Sequence, residues 1–494
     1  MNIGVNIEKT GSPGKTTLNR KLGYGIILVG LVMEAGYLYL TYNLGDLTAN
    51  VRAYLLLNTA LLALTLGTIA YLVPGFIKTK VSPKAGLLPE KNQNVWQIVL
   101  IILIFAGLFR LTAVFAEPSL STDQFRYIWE GRLVTLGISP YRYAPNDSFL
   151  IPYHSEVFPL VRQAGTPSPY PPLTQLVHAL NYAIFQDNLI GPKVFYAGFD
   201  FINCLIIIWL LGVFGRDRRW VLLYAWHPLP VVEFGQSGHN DALMLGLLLV
   251  AIGLAYRQKP FLSAAILGLA ALAKFTPLFG LPLFLVLWHK TLYKGQIKWN
   301  FWQIFNPRLW LYPFLTIVIL VAGYIPFLIS GQGAIGSLAD YIGMWENNAT
   351  EIFLWLKTQF GLSLAKQITV GLLGVTVLVL AFLPKLAVEL SLCRRFIILF
   401  GVTFMLASSL HPWYLSWILV MLPLVWGDNF SVWWDWGCLL FTYLIQLTYL
   451  TYGLEPTLSV EVGKMINPLI SWSFVFISLT AVLQTKGRII VQGS

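Results

Sequence analysis

Apolar runs of 15 to 23 residues, separated by short polar links, recur through most of the 494-residue chain. Coiled at about 1.5 Å per residue, such runs match the roughly 30 Å hydrocarbon core of a bilayer. Hydrophobic residues make up 56% of the sequence and charged residues 11%, whereas a soluble chain of this length would divide into several cores under a far more charged surface. The reading is an all-α, polytopic transmembrane helical bundle with the lipid bilayer as its solvent.

Candidate spans lie at 23–42, 53–73, 96–116, 192–214, 219–234, 241–256, 261–275, 276–289, 310–330, 367–384, 394–410, 412–427, 433–452 and 467–485, which makes about 12 to 14 crossings. Several of them, including 219–234, 261–275 and 276–289, are too short to cross upright. The proline-interrupted stretches AWHPLPVVEF and AKFTPLFGLPLF predict broken helices, whose freed carbonyls must face protein or a wet cavity; an ordinary proline kink is the other reading of each.

The net charge of +11 is spread over many links rather than gathered in one patch, which argues against a nucleic-acid partner. Its placement reads as topology. The N-terminus, alternate links and C-terminal tail hold 22 of the 33 Lys and Arg, the opposite loops hold nine, and Arg110 and Lys274 fall at membrane depth. That bias predicts a cytoplasmic N-terminal tail at 1–22, a transmembrane domain at 23–485 and a cytoplasmic tail at 486–494. The first run contains Glu34 and lacks a small-residue cleavage site, so it reads as a retained span. Cys204, Cys393 and Cys438 have neither disulfide-framework nor zinc-site spacing.

Residues 117–191 form the longest inter-span segment, on the outer side by the charge argument. Within it, STDQFRYIWEGRLVTLGISPYRYAP (121–145) predicts a helix capped by Ser121 or Thr122 and ended by Gly137. Asp123, Arg126, Tyr127 and Glu130 share one arc of that helix, and Phe125, Ile128, Trp129, Leu133 and Leu136 share the other, as expected of an amphipathic helix lying on the membrane surface. Pro171–Phe185, PPLTQLVHALNYAIF, reads as a second surface helix.

Asp123 sits in the first turn, where the helix dipole favours a carboxylate; such a residue either caps the helix or accepts a proton from an attacking hydroxyl. QSGHND (236–241), SSLHPWYLSW (408–417) and Lys274 fall at outer span ends. An interfacial aromatic belt or a snorkelling lysine would also explain them. However, a charge at depth costs about 2.5–3.5 kcal/mol on insertion scales, so several converging on one face point to a site. Carboxylate, cations and histidines together suit a substrate that is part lipid and part phosphate, such as a polyprenyl phosphate carrying a sugar. The candidate residues are Asp123 for catalysis and Arg126, Tyr127, Glu130, Arg132, Tyr141, His239, Asn240, Asp241, Lys274, His411, Trp413 and Tyr414 for substrate binding.

The 121–145 stretch resembles the first outer loop of the GT-C class of integral-membrane glycosyltransferases, in particular the polyprenyl-phosphate-mannose-dependent mannosyltransferases. YPPL (170–173), GHND (238–241) and HPWY (411–414) are similar to recurring pieces of bacterial members, and the resemblance covers roughly residues 95–430. It implies a multi-span fold whose first long outer loop forms two surface helices and supplies an acidic catalytic base, which maps to Asp123. Members often carry a second acidic residue beside that one, whereas Thr122, Gln124 and Phe125 stand here. No metal or other cofactor is therefore expected, and Asp123 acts alone or with Glu130. The implied reaction moves a hexose, mannose first, from a polyprenyl-phosphate donor to a hydroxyl of a glycan or glycolipid acceptor on the periplasmic or lumenal face. By analogy with two-face glycoside hydrolysis, a single displacement would invert the anomeric carbon. The alternative is a transporter or flippase of a lipid-linked sugar. The expected location is a bacterial inner membrane, with the active site on the outer face.

Overall fold

Backbone polar groups in an apolar medium have to be satisfied within the chain. In the computed structural model they are satisfied by helices, with no extended strand among the described residues. Those residues are 20–73, 76, 93–293, 299, 301–329, 336–337, 346, 348–428, 432–452, 454–455, 458–459 and 461–473. The expected tails 1–22 and 486–494 lie outside them, residues 20–22 excepted, as does the last expected span beyond residue 473.

In order, the helices are α1 (Arg20–Tyr42), α2 (Val51–Leu72), α3 (Gln93–Val114), α4 (Asp123–Thr135), α5 (Pro172–Phe185), α6 (Ile190–Val213), α7 (Asp241–Tyr256), α8 (Pro260–Ala273), α9 (Leu281–Leu292), α10 (Leu311–Ile329), α11 (Glu351–Phe382), α12 (Leu392–Met405) and α13 (Val432–Leu444). Among the described residues, helices α1, α2, α3, α6, α10 and α11 make up the six that are long and apolar enough to cross a membrane. Large apolar side chains stay exposed along them, for example Leu28, Leu56, Leu100, Phe314 and Val375. The protein is an integral membrane protein of the polytopic helical kind.

The remaining expected spans are short or broken. Residues 219–234 resolve into Arg218–Val221, Leu222–Ala225, Pro228–Pro230 and a π-helical turn, Val231–Gln236. A 3-10 turn at Thr276–Gly280 precedes α9, and 412–427 divides into Pro412–Leu415, Ser416–Leu419 and Leu422–Val425. The span expected at 367–384 is the second part of α11, which starts at Glu351 and breaks at Gly361, where φ is +77°.

The breaks are held by polar side chains from neighbouring helices. Arg110 Nη1 donates to the Ala225 carbonyl at 2.9 Å, and Thr65 Oγ1 donates to that of Trp226 at 3.0 Å. Arg110 is itself neutralised by Asp200 at 2.7 Å, with both side chains almost fully buried, and the Tyr224 hydroxyl donates to the same carboxylate. The arginine at membrane depth thus has a carboxylate partner and ties α3, α6 and the broken stretch together.

Helix α4 is covered by protein on both arcs rather than exposed on its polar one. Every residue from Gln124 to Gly131 is buried, on both arcs. The apolar arc packs under the loop that follows it, with Phe125, Ile128, Trp129 and Leu133 against Leu150, Val157 and Val161. The polar arc lies against residues 163–168 and α5, and polar bonds there replace the water an amphipathic surface helix would meet. Gly131 marks the close crossing of α4 and α5, because an added Cβ would run into the His178 carbonyl. Gly137, at φ +74°, ends the helix as expected: Ile138 N–H reaches back to the Leu133 carbonyl at 2.9 Å. Helix α5 is inverted relative to a soluble helix. Thr174, Gln175, His178 and Asn181 are buried, whereas Leu176, Leu180 and Ile184 face outward as an apolar stripe suited to lipid.

Substituting Arg110→Met leaves Asp200 buried without its cation, and is expected to destabilise the protein by about 3–5 kcal/mol. The double substitution with Asp200→Leu should recover most of that loss. Thermal unfolding of the purified protein in detergent checks both.

Candidate active site

The break between Leu222 and Asp241 and the start of α4 meet at one end of the bundle. In the π-helical turn, the Ser237 N–H reaches the Val232 carbonyl at 3.0 Å and the His239 N–H reaches that of Glu233 at 3.0 Å. This wide winding brings Glu233 and His239, six residues apart, onto one side. Gly238, at φ +67°, provides the reversal that an L side chain rarely adopts, and packs on Lys193.

Asp123 opens α4, and its N–H donates to Ser121 Oγ at 3.2 Å. Its side chain keeps 39% of its surface accessible, so it lies at the rim of the cluster rather than sealed inside. His239 Nδ1 stands 3.6 Å from Asp123 Oδ2, and His239 Nε2 stands 3.5 Å from Glu233 Oε2. The other Glu233 oxygen accepts from the Tyr449 hydroxyl at 2.7 Å. The His239 ring stacks on Trp413 at 3.7 Å between centroids, and His411 stacks on Trp413 at 4.3 Å.

A second unit lies beside the first. The break after α8 leaves Lys274 in an extended conformation, and its Nζ donates to Asp241 Oδ1 at 2.6 Å. Asp241 occupies the first turn of α7, where the helix dipole favours its charge, and also accepts from Trp417 Nε1 at 2.7 Å. Lys274 Nζ lies 4.8 Å from the centroid of the Tyr414 ring. Thr174 of α5 donates to the Ala273 carbonyl at 2.7 Å, which ties the first loop to the break that carries Lys274.

The electrostatics follow from burial and neighbours. Desolvation pushes the Asp123 carboxyl up, but the nearby His239, with His411 and Lys274 further off, outweighs it and leaves Asp123 below the usual carboxylate range. Burial pulls His411 down to about 3, so it is a neutral imidazole at neutral pH. Its Nε2 meets Ser409 Oγ at 3.1 Å, and its buried Nδ1 has no partner.

Of the residues singled out in the sequence, Asp123, His239, Asp241, Lys274, His411, Trp413 and Tyr414 come together here. Asn240 lies beside them with its buried Nδ2 unpartnered. Tyr127 lies just behind, stacked on His178 at 4.5 Å. The other four are engaged within the first loop. Arg126 pairs with Glu130 at 2.7 Å and donates to the carbonyls of Gln163 and Thr166. Glu130 also accepts from Ser168 and Gln175, each at 2.7 Å. Arg132 donates to the Tyr182 hydroxyl at 2.7 Å, and Tyr141 donates to the Tyr170 carbonyl at 2.7 Å. These residues knit α4 to α5 and the loop, and Glu130 is turned to Arg126, not to Asp123.

Sequence reasoning passed over Glu233 and Tyr449 and took Trp417 only as part of an aromatic belt. Glu233 could have been found, since a carboxylate inside the proline-broken apolar stretch AWHPLPVVEF is costly without a use. Nothing local marks Tyr449.

A carboxyl depressed in the folded state contributes stability that is present above its unfolded value, about 4, and is lost as pH falls through the folded one. Wild-type protein is therefore expected to lose stability below about pH 4, and Asp123→Asn to flatten that part of a melting-temperature-against-pH curve. Asp241→Ala leaves the Lys274 ammonium and the Trp417 N–H without their shared acceptor. A loss on the order of 3 kcal/mol is expected, read by thermal unfolding.

Residues 26–290, more than half of the chain, match the alpha-(1->6)-mannopyranosyltransferase N-terminal domain. Among characterised relatives, alpha-(1->6)-mannopyranosyltransferase A of Mycobacterium tuberculosis is 23% identical over 180 residues, 35% of this chain and 34% of its own. A second alpha-(1->6)-mannopyranosyltransferase of that organism is 27% identical over 160 residues, 30% of this chain and 26% of its own. The Corynebacterium glutamicum alpha-(1->6)-mannopyranosyltransferase A is 24% identical over 178 residues, 34% of this chain and 35% of its own. These alignments span only about a third of the relatives' length. The family match contains Asp123, Glu233, His239, Asp241 and Lys274, whereas His411, Trp413, Tyr414, Trp417 and Tyr449 lie beyond it. The chain belongs to the alpha-(1->6)-mannopyranosyltransferase family of membrane glycosyltransferases.

Proposed function

We propose that the protein transfers a mannosyl group from a polyprenyl-phosphate donor to a hydroxyl of a glycan or glycolipid acceptor. In this reading the reaction runs on the periplasmic side of a bacterial inner membrane, with the N-terminus cytoplasmic. The observation that carries the proposal is the placement of Asp123: a carboxylate held in its ionised form, with an open edge, at the rim of a cluster of imidazoles, indoles and an ammonium. Family membership supports the sugar.

The donor's polyprenyl tail would lie among the apolar helices, and its phosphate would approach Lys274, exchanging part of that group's hold on Asp241. As the acceptor oxygen bonds the anomeric carbon, the bond from that carbon to the phosphate oxygen breaks, and the electron pair leaves on the phosphate. Asp123 takes the hydroxyl proton. One base opposite one leaving group makes a single displacement, which inverts the anomeric carbon. His411, being neutral, does not balance phosphate charge, so its free Nδ1 is assigned to a sugar hydroxyl. The phosphate is held by Lys274, and no metal is invoked.

Asp123→Asn is expected to lower turnover by about 10²–10⁴-fold while leaving donor binding and folding intact. Near wild-type turnover by that variant overturns the base assignment. Lys274→Ala is expected to weaken donor binding about tenfold or more, since a charge-assisted contact of about 1.5–3 kcal/mol is lost; unchanged affinity removes it from the phosphate site. A flippase would leave the donor whole. Release of free polyprenyl phosphate from labelled donor, together with a mannosylated acceptor, separates the two readings.

A further inference from the structure

We infer that Glu233 is a positioning residue that acts through His239 as a proton relay behind Asp123. The inference rests on Asp123 being the base. Both ring nitrogens of His239 are buried and hydrogen-bonded to nothing, as is Glu233 Oε2. The polar atoms they face are one another and Asp123, at 3.5 and 3.6 Å. Such distances are common before a substrate closes a site, and hydrogen bonds tighten in the loaded complex.

The imidazole has little freedom to do anything else. Stacking on Trp413 fixes its plane, and its backbone N–H is bonded to Glu233's own carbonyl at 3.0 Å. The Tyr449 hydroxyl anchors the other Glu233 oxygen, so the carboxylate presents Oε2 to Nε2 and cannot turn away without breaking that bond. An acceptor facing Nε2 selects the tautomer that carries its hydrogen there, and so leaves the lone pair of Nδ1 toward Asp123. The order Glu233, His239, Asp123 then follows the carboxylate–imidazole–reacting-group logic by which buried acids orient histidines.

In the transfer step the acceptor hydroxyl forms its bond to the anomeric carbon and gives its proton to Asp123, and the phosphate departs with its electron pair. The proton moves on from Asp123 to His239 Nδ1. This restores the Asp123 carboxylate and leaves an imidazolium between Asp123 and Glu233. From there it returns through the exposed edge of Asp123 to water, and no other co-reactant is needed. The titratable and charged groups around the ring are Asp123 from α4, Glu233 from the π-helical turn, His411 across Trp413, Lys274 and Asp241 from the break after α8 and the start of α7, and Tyr449 behind Glu233.

The test measures kcat, donor KM and the pH–rate profile for purified full-length wild type, Glu233→Gln, His239→Asn and the double variant. Glu233→Gln and His239→Asn are each expected to lower kcat tenfold or more with KM little changed, and the double variant to be no slower than His239→Asn alone. Residues acting as one unit are non-additive in this way. His239 is the group that takes the proton on from Asp123, so losing or misorienting it should move the acid limb of the profile in both single variants. Multiplicative losses, an unshifted acid limb, or wild-type kcat in Glu233→Gln each overturn the relay. If Glu233→Gln does not accumulate as folded protein, the His239→Asn profile decides alone, and an unshifted limb overturns the inference. An active Asp123→Asn variant means that the base reading itself has failed, whereas an inactive one beside a fully active Glu233→Gln means that only the relay has.

Discussion

A backbone that stops being helical in an apolar medium has to find partners for the groups it frees, and in the stretch from Leu222 to Asp241 two freed carbonyls find them in side chains from elsewhere in the chain. Arg110 and Thr65 cap the carbonyls of Ala225 and Trp226, Asp200 neutralises the arginine, and the Tyr224 hydroxyl donates to Asp200. Because those obligations are met, the prolines at 228 and 230 can end one helical segment and a π-helical turn can follow. That turn points Glu233 and His239 to the same side. Without the Arg110–Asp200 pair, the Ala225 carbonyl in this break would lose its donor.

The first loop uses polar residues in two separate ways. Arg126, Glu130, Ser168 and Gln175 form a closed set of bonds that holds α4 on α5, and Arg132 with Tyr182 extends it. Most of the polar atoms of these groups are spent on one another and on the loop. Asp123, one turn earlier, is excluded from that set by its place at the helix start, and it keeps an open edge with a histidine behind it. The inverted polarity of α5, apolar outside and polar inside, suits a helix whose outer neighbour is lipid and whose inner neighbour is α4.

The cluster also crosses the boundary of the family match. The carboxylates and Lys274 fall within residues 26–290, while the aromatic wall, His411 to Trp417, comes from a later part of the chain. The wall sets the plane of His239 and supplies an indole N–H to Asp241. The charges and the surfaces that orient them are therefore drawn from opposite ends of the sequence, and only folding brings them together.

Much of the architecture was legible from residue order, because a bilayer imposes a simple rule on runs of apolar residues. The helical class, five of the six long helices and the second part of the sixth, the helix that starts at Asp123 and ends before Gly137, and the presence of breaks at AWHPLP and AKFTPL all follow from hydropathy, proline and glycine. The convergence of Asp123, His239, Lys274 and His411 followed from the same rule applied to charge, since polar residues at span ends on one face have few places to go. The tertiary structure alone decided which arc of α4 met water, and the answer was neither, because the loop from 136 to 170 folds over it. It also decided that Glu130 serves Arg126, that Asp241 serves Lys274, and that Glu233 and Tyr449 stand behind His239. Apart from the i,i+4 pair of Arg126 and Glu130 and the six-residue step from Glu233 to His239, these pairings join residues tens to hundreds of positions apart and depend on packing distances of a few ångströms, which no local pattern of apolar and polar residues encodes.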